Sequence, residues 1–389
     1  MAARAKPIRS VDATVMKEPE SQGSSRDRPR PQSGAGDVVQ SGNENDFVDR
    51  TTSTTIDSIR PVRQNSVRRL FRRRGIGDVY QLNEIEYRLE KLVGSGTGEA
   101  KGKSETWRAT ALGANQRDVF LKIFQSPKYP NEDERNDPEQ GPELRRRCER
   151  FEARHREVGK RLSRERSGTG ALVEPLDFGR PTDSLSYIKV YPWITDAVTI
   201  TRKTVSSWSR AERLIFVRTL MLAIWELHEL GIAHGDIKQD NILIAKMPVG
   251  PVARLIDFDE AFLADSPPLS LEEVEVGTTL MTPEWKVLEN PDRAIGMSGI
   301  AFGTRTDLFQ LAVVLETVFG SGEITWSNVK FGDLNGDADY ALAGATPTCS
   351  DLGLSLPRVA QLMRDCLNRQ YSRRPNVETI LSTLGVSVP

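Results

Sequence analysis

Residues 227–244 read LHELGIAHGDIKQDNILI, the most informative part of the sequence. A helical pattern, for which Ser209 is the predicted N-cap, ends at Gly231, a residue type that commonly follows the last turn of a helix. A polar loop comes next, and it presents four polar side chains: His234, Asp236, Lys238 and Asn241. Two apolar strands follow at 242–244 and 253–256, and the second leads into the sequence DFD at 257–259. We therefore expect the loop and the DFD segment to lie at hairpin distance.

The loop and the DFD segment together hold the side chains that phosphoryl transfer requires. A carboxylate can orient and deprotonate a hydroxyl, and a cation can stabilise the transferring phosphoryl group. An amide and a second carboxylate supply the hard oxygen ligands that Mg²⁺ prefers. A turn-only role for Asp236 and Asn241 is the alternative, but the helix before and the strand after them favour catalysis.

The chain resembles the eukaryotic-type (Hanks-type) Ser/Thr protein kinases, and we expect a bacterial, cytosolic member. The sequence HGDIKQDN at 234–241 is similar to the family's H-R-D-x-K-x-x-N, and DFD at 257–259 is similar to its D-F-G. The resemblance implies ATP as the phosphoryl donor and Mg²⁺, with Mn²⁺ as an alternative, as the metal. It also implies four roles: catalytic base for Asp236, γ-phosphate contact for Lys238, and metal binding for Asn241 and Asp257.

The sequence VGSGTG at 93–98 follows a predicted strand, as a phosphate-covering loop does. Its spacing is G-x-G-x-G rather than G-x-G-x-x-G, so the phosphate that each glycine contacts stays open. By the resemblance, Val190 is the gatekeeper, Tyr191 and Trp193 bind adenine through their backbone, and Leu243 forms the floor of the pocket. The expected nucleotide contacts are therefore Val93, Gly94, Gly96, Gly98, Lys122, Val190, Tyr191, Trp193 and Leu243.

Lys122 lies in the middle of an apolar strand, where a charged side chain needs a partner. A long helix over residues 144–162 is expected to provide it. Apolar or small side chains at a spacing of three and four predict one buried face for this helix: Leu144, Cys148, Phe151, His155, Val158 and Leu162. Our choice is Glu157, in a segment that resembles the R-E-V of many bacterial members, and Glu152 is the alternative. Phe120 replaces the small alanine that normally covers the adenine, so a ring there could narrow the pocket.

The sequence GTTLMTPE at 277–284 resembles the end of a kinase activation segment. The resemblance implies that Thr278, or its neighbour Thr279, bonds Asp236 and Lys238, as in Ser/Thr kinases. Two scaffold contacts are also expected: a Glu284–Arg374 ion pair, and capping of the loop backbone by Asp307. Small-molecule phosphotransferases share the H-G-D sequence but lack the loop lysine and this segment, which disfavours that alternative.

Gly235 and Asp259 depart from the family pattern. Gly235 replaces the arginine that receives an activation-loop phosphate, so we expect that such a phosphate does not switch the enzyme through that pair, and that activity is either constitutive or controlled elsewhere. Asp259 replaces the last glycine of D-F-G and adds a carboxylate near the metal. The alternative to an active kinase is therefore a catalytically weak pseudokinase that serves as a nucleotide-binding scaffold.

The pattern of elements predicts an α+β, bilobal, protein-kinase-like fold. Residues 1–78 form a tail rich in Ser, Thr and Arg that we expect to be disordered, and residues 79–389 form the kinase domain. The N-lobe, about 79–191, holds a small antiparallel sheet with one long helix. The larger C-lobe, about 194–389, is mainly helical.

Charge and cysteine content restrict the class of function. The 389 residues carry a formal net charge of -1, which argues against a dedicated nucleic-acid binder. Three scattered cysteines form neither a disulfide framework nor a closed zinc site, so we expect a reducing, cytoplasmic compartment. The sequence also shows no apolar run of the length needed to span a membrane.

The tail suggests its own partners. Residues 60–75 hold seven arginines and no acid, and the interpretation as a solvated linker outweighs a docking patch. Ser66 and the cluster Thr51–Thr55 are candidate autophosphorylation sites, in addition to external protein substrates. A phosphothreonine there could recruit a phosphopeptide-binding partner.

Overall fold

The computed structural model describes much of the chain from Arg74 onward. The described ranges are 74–95, 104–113, 116–164, 170–196, 198–268, 282–290, 302–320, 324–328, 337–343, 345–348 and 357–386. Three predicted site residues lie outside these ranges: Gly96, Gly98 and Thr278. The tail up to residue 73, with its predicted disorder and phosphorylation sites, also lies outside them.

One antiparallel sheet forms the N-terminal lobe, with the strand order β1-β2-β3-β4-β6-β5. Its strands are Val79–Leu82 (β1), Ile85–Ser95 (β2), Ser104–Leu112 (β3), Arg117–Lys128 (β4), Asp177–Gly179 (β5) and Ser186–Pro192 (β6). In β4, Val119, Leu121 and Ile123 are fully buried in the core of the lobe. Because side chains alternate along a strand, Lys122 lies on the opposite face of the sheet.

Two helices connect β4 to the rest of the sheet, Glu132–Asn136 (α1) and Gly141–Arg164 (α2). A capping box starts α1, in which Asn131 and Glu134 each accept the other's backbone N–H. The apolar stripe predicted for the long helix is confirmed in α2, where five of its members are buried: Cys148, Phe151, His155, Val158 and Leu162. The spacing of three and four residues puts them on one face of the helix.

The C-terminal lobe is mainly helical and carries small antiparallel sheets. Its helices are Arg202–Ser206 (α3), Arg210–Glu229 (α4), Pro283–Glu289 (α5), Thr304–Phe319 (α6), Asp337–Leu342 (α7), Pro357–Cys366 (α8) and Val377–Thr383 (α9). Its strands are Val198–Thr199 (β7), Ile232–Ala233 (β8), Ile242–Met247 (β9), Gly250–Leu255 (β10), Phe262–Leu263 (β11), Thr325–Ser327 (β12) and Thr346–Thr348 (β13). They pair as β10-β9-β7, β11-β8 and β12-β13. The predicted two-lobed α+β architecture is confirmed.

Helices α4 and α6 lie at the centre of the C-lobe core. Ser209 caps α4 and forms a capping box with Glu212, which confirms the predicted start of this helix. Gly231 follows its end with φ of +68°, a left-handed conformation that glycine adopts without steric cost. The fully buried apolar residues of the two helices include Phe216, Leu220, Ile224, Leu227, Leu308, Leu311 and Val314. Burial of one such side chain stabilises a fold by about 1.5–3 kcal/mol. The packing of α4 against α6 therefore holds the elements before and after the loop at 234–241 in place.

Crossing a bilayer requires a helix of sufficient length and apolar character. A spanning helix needs about 20 predominantly apolar residues. Among the helices in the described ranges, none combines sufficient length with sufficient apolar character.

A buried ion pair joins α5 to the segment before α9. Arg374 Nη2 lies 2.6 Å from Glu284 Oε1, and neither side chain is exposed to solvent. Arg374 also donates hydrogen bonds to the carbonyls of Asn368, at 2.8 Å, and Arg305, at 3.1 Å. The predicted Glu284–Arg374 pair is therefore confirmed, and each partner depends on the other to offset its loss of hydration.

Arg374→Met is expected to lower the free energy of unfolding by about 3–5 kcal/mol, because it leaves the Glu284 carboxylate buried without its cation. Denaturant-induced unfolding measures this loss. Arg88→Met is the control, because it breaks a pair with Glu90 whose side chains are 44% and 35% exposed, and it should leave the midpoint unchanged. Equal stability of the two variants would contradict a structural role for the buried pair.

Candidate active site

The loop between β8 and β9 is held by one buried carboxylate from α6. Asp307 Oδ2 accepts the backbone N–H of His234 and Asp307 Oδ1 accepts that of Gly235, both at 2.8 Å. Asp307 is fully buried, and His228 of α4 contacts the same carboxylate at 2.9 Å. The predicted capping role of Asp307 is confirmed, and it fixes the start of the loop.

Gln310 fixes the same loop one helical turn later, and the sequence analysis missed it. Its side-chain oxygen accepts the N–H of Ile237, and its amide nitrogen donates to the carbonyl of Gly235, both at 2.8 Å. Because residues three apart lie on one face of a helix, Asp307 and Gln310 reach the loop together. The sequence signal for Gln310 was its position three residues after Asp307, on the helix that follows the segment resembling an activation segment.

Asp236 lies at the centre of a short hydrogen-bond network. Its Oδ2 atom accepts from Lys238 Nζ at 2.7 Å and from Asn241 Nδ2 at 2.9 Å. Its Oδ1 atom is buried and accepts no hydrogen bond from the described part of the chain. The side chain of His234 does not reach the Asp236 carboxylate: its Nδ1 accepts the backbone N–H of Asp236 at 3.3 Å, and its Nε2 contacts the carbonyl of Ile256 at 3.0 Å. The structure thus brings Asp236, Lys238 and Asn241 together as predicted.

Lys122 joins this site from the N-terminal lobe, but its partners differ from the prediction. Lys122 Nζ lies 2.9 Å from both carboxylate oxygens of Asp257 and 2.5 Å from Asp259 Oδ2. The expected pair with Glu157 is wrong for this structure. Glu157 contacts Arg161 at 3.2 Å and Lys160 at 3.7 Å instead.

The position of Glu157 on α2 explains this difference. The buried stripe of the helix passes through His155 and Val158, while the Glu157 side chain is 35% exposed on the flank. Arg161 follows it by four residues, the spacing that brings helical side chains into contact. The alternative partner Glu152 is also engaged elsewhere, at 2.7 Å from Arg156.

Lys189 is a second buried lysine at the site, and the sequence analysis gave it no role. Its Nζ contacts three acceptors: His155 Nδ1 at 3.1 Å, the Phe258 carbonyl at 3.2 Å and Asp259 Oδ1 at 3.1 Å. The side chain is 1% exposed. A lysine within an apolar strand needs a partner, as stated for Lys122, and the same rule predicts buried contacts for Lys189.

The buried charges shift one another's ionisation. Burial lowers the pKa of Lys122, but the carboxylates of Asp257 and Asp259 overcome this and raise its pKa above the ordinary value. Burial likewise raises the pKa of Asp259, but Lys122 and Lys189 outweigh it and hold that pKa well below its usual range. Burial lowers the pKa of Lys189 and, even more, that of His155. The cluster therefore contains a charged Lys122, an ionised Asp259 and a neutral His155.

A cavity of about 150 Å³ opens onto these charges. It is lined by Ser104, Lys122, Phe124, Phe151, Arg154, Asp236, Lys238, Asp257, Asp259 and Glu260. Four predicted catalytic or metal-binding residues, Lys122, Asp236, Lys238 and Asp257, thus face one space. Cations and carboxylates around a small cavity suit a phosphate group and a divalent ion.

The expected nucleotide contacts in the described ranges lie on four strands, with Lys122 on β4, and on the segment after β6. Val93 and Gly94 belong to β2, where Gly94 pairs with Thr106, so the strand extends further than predicted. Val190 is fully buried in the N-lobe core, and Tyr191 lies opposite Phe120 in the β4-β6 register. The remaining two positions are Trp193 just after β6 and Leu243, 8% exposed, on β9.

The backbone explains why Gly235 replaces an arginine. Its φ is +75°, a conformation that L side chains rarely adopt. A Cβ atom there would lie 2.5 Å from the carbonyl oxygen of Glu260. A side chain at this position would therefore push the loop away from the DFD segment.

Gly235→Ala is expected to destabilise the protein by at least about 1–2 kcal/mol, because it combines left-handed strain with this close contact. Thermal and denaturant unfolding measure the effect. Gly159→Ala within α2 is the matched control, since its Cβ would meet no atom within 4 Å and alanine favours helix there. The account is wrong about Gly235 if both alanines are tolerated equally.

About half of the chain matches a known protein family. A family model described as "Protein kinase domain" matches residues 186–384, which is just over half of the 389 residues. The matched region contains the loop at Asp236, the DFD segment and the Glu284–Arg374 pair. It begins at β6, so the strand that carries Lys122 lies before it.

Several curated kinases are similar to parts of the chain. The serine/threonine-protein kinase pkn2 of Myxococcus xanthus is 28% identical over 209 residues, 53% of this chain and 24% of pkn2. The meiosis-specific serine/threonine-protein kinase MEK1 of Saccharomyces cerevisiae is 26% identical over 151 residues, 34% of this chain and 29% of its own length. The putative ribosomal protein S6 kinase alpha-2 of Caenorhabditis elegans is 29% identical over 148 residues, 37% of this chain and 19% of its own. The chain spans less than a third of each relative, yet the family match and the two-lobed fold show that it belongs to the protein kinase domain family, as its resemblance to the Hanks-type Ser/Thr kinases predicted.

Proposed function

We propose that the protein is an ATP- and Mg²⁺-dependent kinase that transfers the γ-phosphate of ATP to serine or threonine hydroxyls of proteins. The geometry of Asp236 carries this proposal. Lys238 and Asn241 orient the carboxylate through Oδ2, while Oδ1 is buried and receives no hydrogen bond from the described residues. A buried acceptor without a donor is suited to bind a substrate hydroxyl and take its proton.

The two lysines of the site serve the phosphates. Lys238 Nζ lies 2.7 Å from Asp236, so its charge is next to the hydroxyl that the base activates and to the phosphoryl group in transfer. Lys122 reaches the cavity from the other lobe and is the expected contact of the α- and β-phosphates. Together they would stabilise the negative charge of the transition state on both sides of the cavity.

The residues present fit a magnesium ion. Asn241 donates both of its described hydrogen bonds through Nδ2, to the carbonyl and to Oδ2 of Asp236, which leaves its amide oxygen as a ligand. The Asp257 side chain is 30% exposed and lines the cavity. Mg²⁺ in proteins takes one or two such oxygens together with substrate phosphates and waters. When bound, the ion neutralises charge on the phosphate oxygens.

The adenine would lie between the lobes, as the family resemblance implies. We assign Val190 to the back of this pocket, the backbone of Tyr191 and Trp193 to the adenine edge, and Leu243 to its floor. Val93 and Gly94 would cover the phosphates from β2, with Gly96 and Gly98 after them. Phe120 lies opposite Tyr191 in the sheet and packs against the C-lobe core.

The acceptor class follows from the loop lysine and from the relatives. The three relatives carry "serine/threonine-protein kinase" or "S6 kinase" in their names. Lys238 is present at the position that distinguishes Ser/Thr from Tyr kinases, and Thr278 is its proposed partner. Protein hydroxyls are therefore the proposed acceptors, and the chain's own tail is a second one.

We also propose a reducing, cytoplasmic location. Cys148 and Cys366 are both buried reduced thiols, without a disulfide. Buried thiols behave as small apolar side chains and persist where glutathione keeps cysteines reduced.

Asp236→Asn is expected to lower kcat by about 10²–10⁴-fold, the usual range for loss of a general base, with little change in nucleotide affinity. The assay uses the full chain with γ-labelled ATP, Mg²⁺ and a generic basic protein. Asp240→Asn is the matched control, because Asp240 lies in the same loop but is exposed.

The outcomes separate kinase from scaffold. Labelling by wild type and by Asp240→Asn, but not by Asp236→Asn, is the expected pattern. Nucleotide binding without labelling in the wild type would instead support the nucleotide-binding scaffold. Labelling of a small molecule but of no protein would indicate a different phosphotransferase.

Autophosphorylation is expected in the tail, at Ser66 or within the cluster Thr51–Thr55, because both are near basic or hydroxyl-rich sequence. Mass-spectrometric mapping after incubation with ATP and Mg²⁺ tests it. The Asp236→Asn variant supplies the blank. Active enzyme with an unmodified tail would exclude both the sites and the proposed phosphothreonine-binding partner.

A further inference from the structure

Four charged side chains form a compact cluster between the lobes, which we call the lysine–aspartate cluster: Lys122, Lys189, Asp257 and Asp259. Lys122 contacts both carboxylates, Asp257 at 2.9 Å and Asp259 at 2.5 Å. Lys189 contacts Asp259 at 3.1 Å. The cluster contains two lysines and two aspartates, so each side chain contacts a partner of opposite type, which makes its burial tolerable.

In the kinase family, a carboxylate on this helix usually pairs with the strand lysine, but α2 presents other side chains to the cluster here. In the described part of α2, no carboxylate contacts Lys122. The helix instead presents Arg154, whose Nη2 donates to the Asp259 carbonyl at 3.3 Å, and His155, which contacts Lys189 at 3.1 Å. Arg154 also lines the phosphate-sized cavity with Lys122. A glutamate on the flank of α2 is therefore not needed to hold the lysine.

We propose that Asp259 is the positioning residue that holds Lys122 for the nucleotide phosphates, and that Lys189 holds Asp259 from the opposite side. This inference rests on the proposed kinase function and adds to it the residue that replaces the helix glutamate. Asp259 acts through Lys122 and does not itself touch the substrate. In this protein the carboxylate that holds the strand lysine comes from the segment that carries Asp257, and not from the helix.

Competition at Asp257 explains why a second carboxylate is needed. Both oxygens of Asp257 accept from Lys122, and the same oxygens are the proposed ligands of Mg²⁺. A cation at Asp257 would weaken its hold on Lys122 by competing for the same lone pairs. Asp259 keeps one oxygen on Lys122 and the other on Lys189, so Lys122 stays anchored when Asp257 turns to the metal.

Lys189 makes the anchor rigid. Its ammonium group has three N–H donors, and the structure provides three acceptors: His155 Nδ1, the Phe258 carbonyl and Asp259 Oδ1. The segment is thereby tied to β6 and, through His155, to α2. Phe258 is itself 1% exposed, with its ring centre 5.2 Å from that of His234. Asp259 therefore has little freedom to leave Lys122.

The test uses a variant that keeps the cluster balanced. Asp259→Asn alone leaves two lysines with one carboxylate and can fail to fold, whereas Asp259→Asn with Lys189→Met removes one charge of each sign. The double variant should melt close to wild type but show a kcat about 10²-fold lower, the size of effect caused by a misplaced catalytic group. The KM for ATP should rise much less than kcat falls. Asp265→Asn is the matched control, because Asp265 is an exposed aspartate that forms an ion pair with Arg161.

Two further measurements separate positioning from simple stability. Asp259→Glu, which restores the carboxylate, should recover part of kcat over Asp259→Asn with Lys189→Met, and Glu157→Gln should lose less activity than the double variant. Binding of ADP with Mg²⁺, measured by calorimetry, should weaken about tenfold in the double variant, because Asp257 then binds the metal and Lys122 has lost its second anchor. Metal-free ADP binding should change less, since both oxygens of Asp257 still hold Lys122.

Each outcome has a definite meaning. A folded double variant with kcat and affinity for ADP with Mg²⁺ within threefold of wild type overturns the role of Asp259, and so does a larger loss in Glu157→Gln. An inactive wild type that still binds ADP ends the proposed kinase function, and the affinities for ADP with Mg²⁺ alone then decide on Asp259. A wild type that binds no ADP overturns both.

Discussion

The buried carboxylate of Asp307 organises the site, because three donors converge on it from two other elements. It accepts the N–H groups of His234 and Gly235 and contacts His228. A carboxylate without exposure to solvent is stable only when such donors replace its water. The loop is held in turn, because moving it away would leave the charge of Asp307 buried and without its donors. The position of Asp236 is therefore fixed by α6, a helix more than 60 residues later in the chain.

Gly235 links this anchor to the second half of the site. Because it has no side chain, the loop can approach the Glu260 carbonyl closely, and the DFD segment then lies against the catalytic loop. Lys122 and Lys189 tie the same segment to the sheet. The two lobes therefore meet through charge and backbone contacts at the cavity. This arrangement places Lys122, Asp236, Lys238 and Asp257 around one space although they come from distant parts of the chain.

The sequence predicted the elements well where local rules dominate. The Ser209 cap, the buried stripe of α2 and the alternation in β4 follow from residue type and spacing alone. It was less informative about partners, because an ion pair depends on how elements dock. Glu157 and Arg154 are three residues apart, so a modest rotation of α2 decides which one reaches the site. The conformation of Gly235 could not be seen either, since a glycine letter does not reveal its φ.

Asp259 and Lys189 illustrate the same limit from another side. The sequence showed an additional carboxylate after Phe258 and a lysine within an apolar strand, each of which needed a partner. Their separation of 70 residues hid the fact that each satisfies the other. Only the antiparallel register of β4 and β6, which sets Lys122 opposite Lys189, shows that two ammonium groups share these carboxylates. Pairs of unexplained buried charges in one sequence are worth considering together.

A crystal structure of the full chain with Mg²⁺ and a non-hydrolysable ATP analogue would show whether this site binds the nucleotide with Lys122 held by Asp259. We expect Mg²⁺ bound by Asn241 and Asp257 at about 2.1 Å, and Lys122 in contact with the phosphates while still hydrogen-bonded to Asp259. A nucleotide bound with Lys122 paired to Glu157, or phosphates bound away from Asp236, would show that the proposed roles of these residues are wrong.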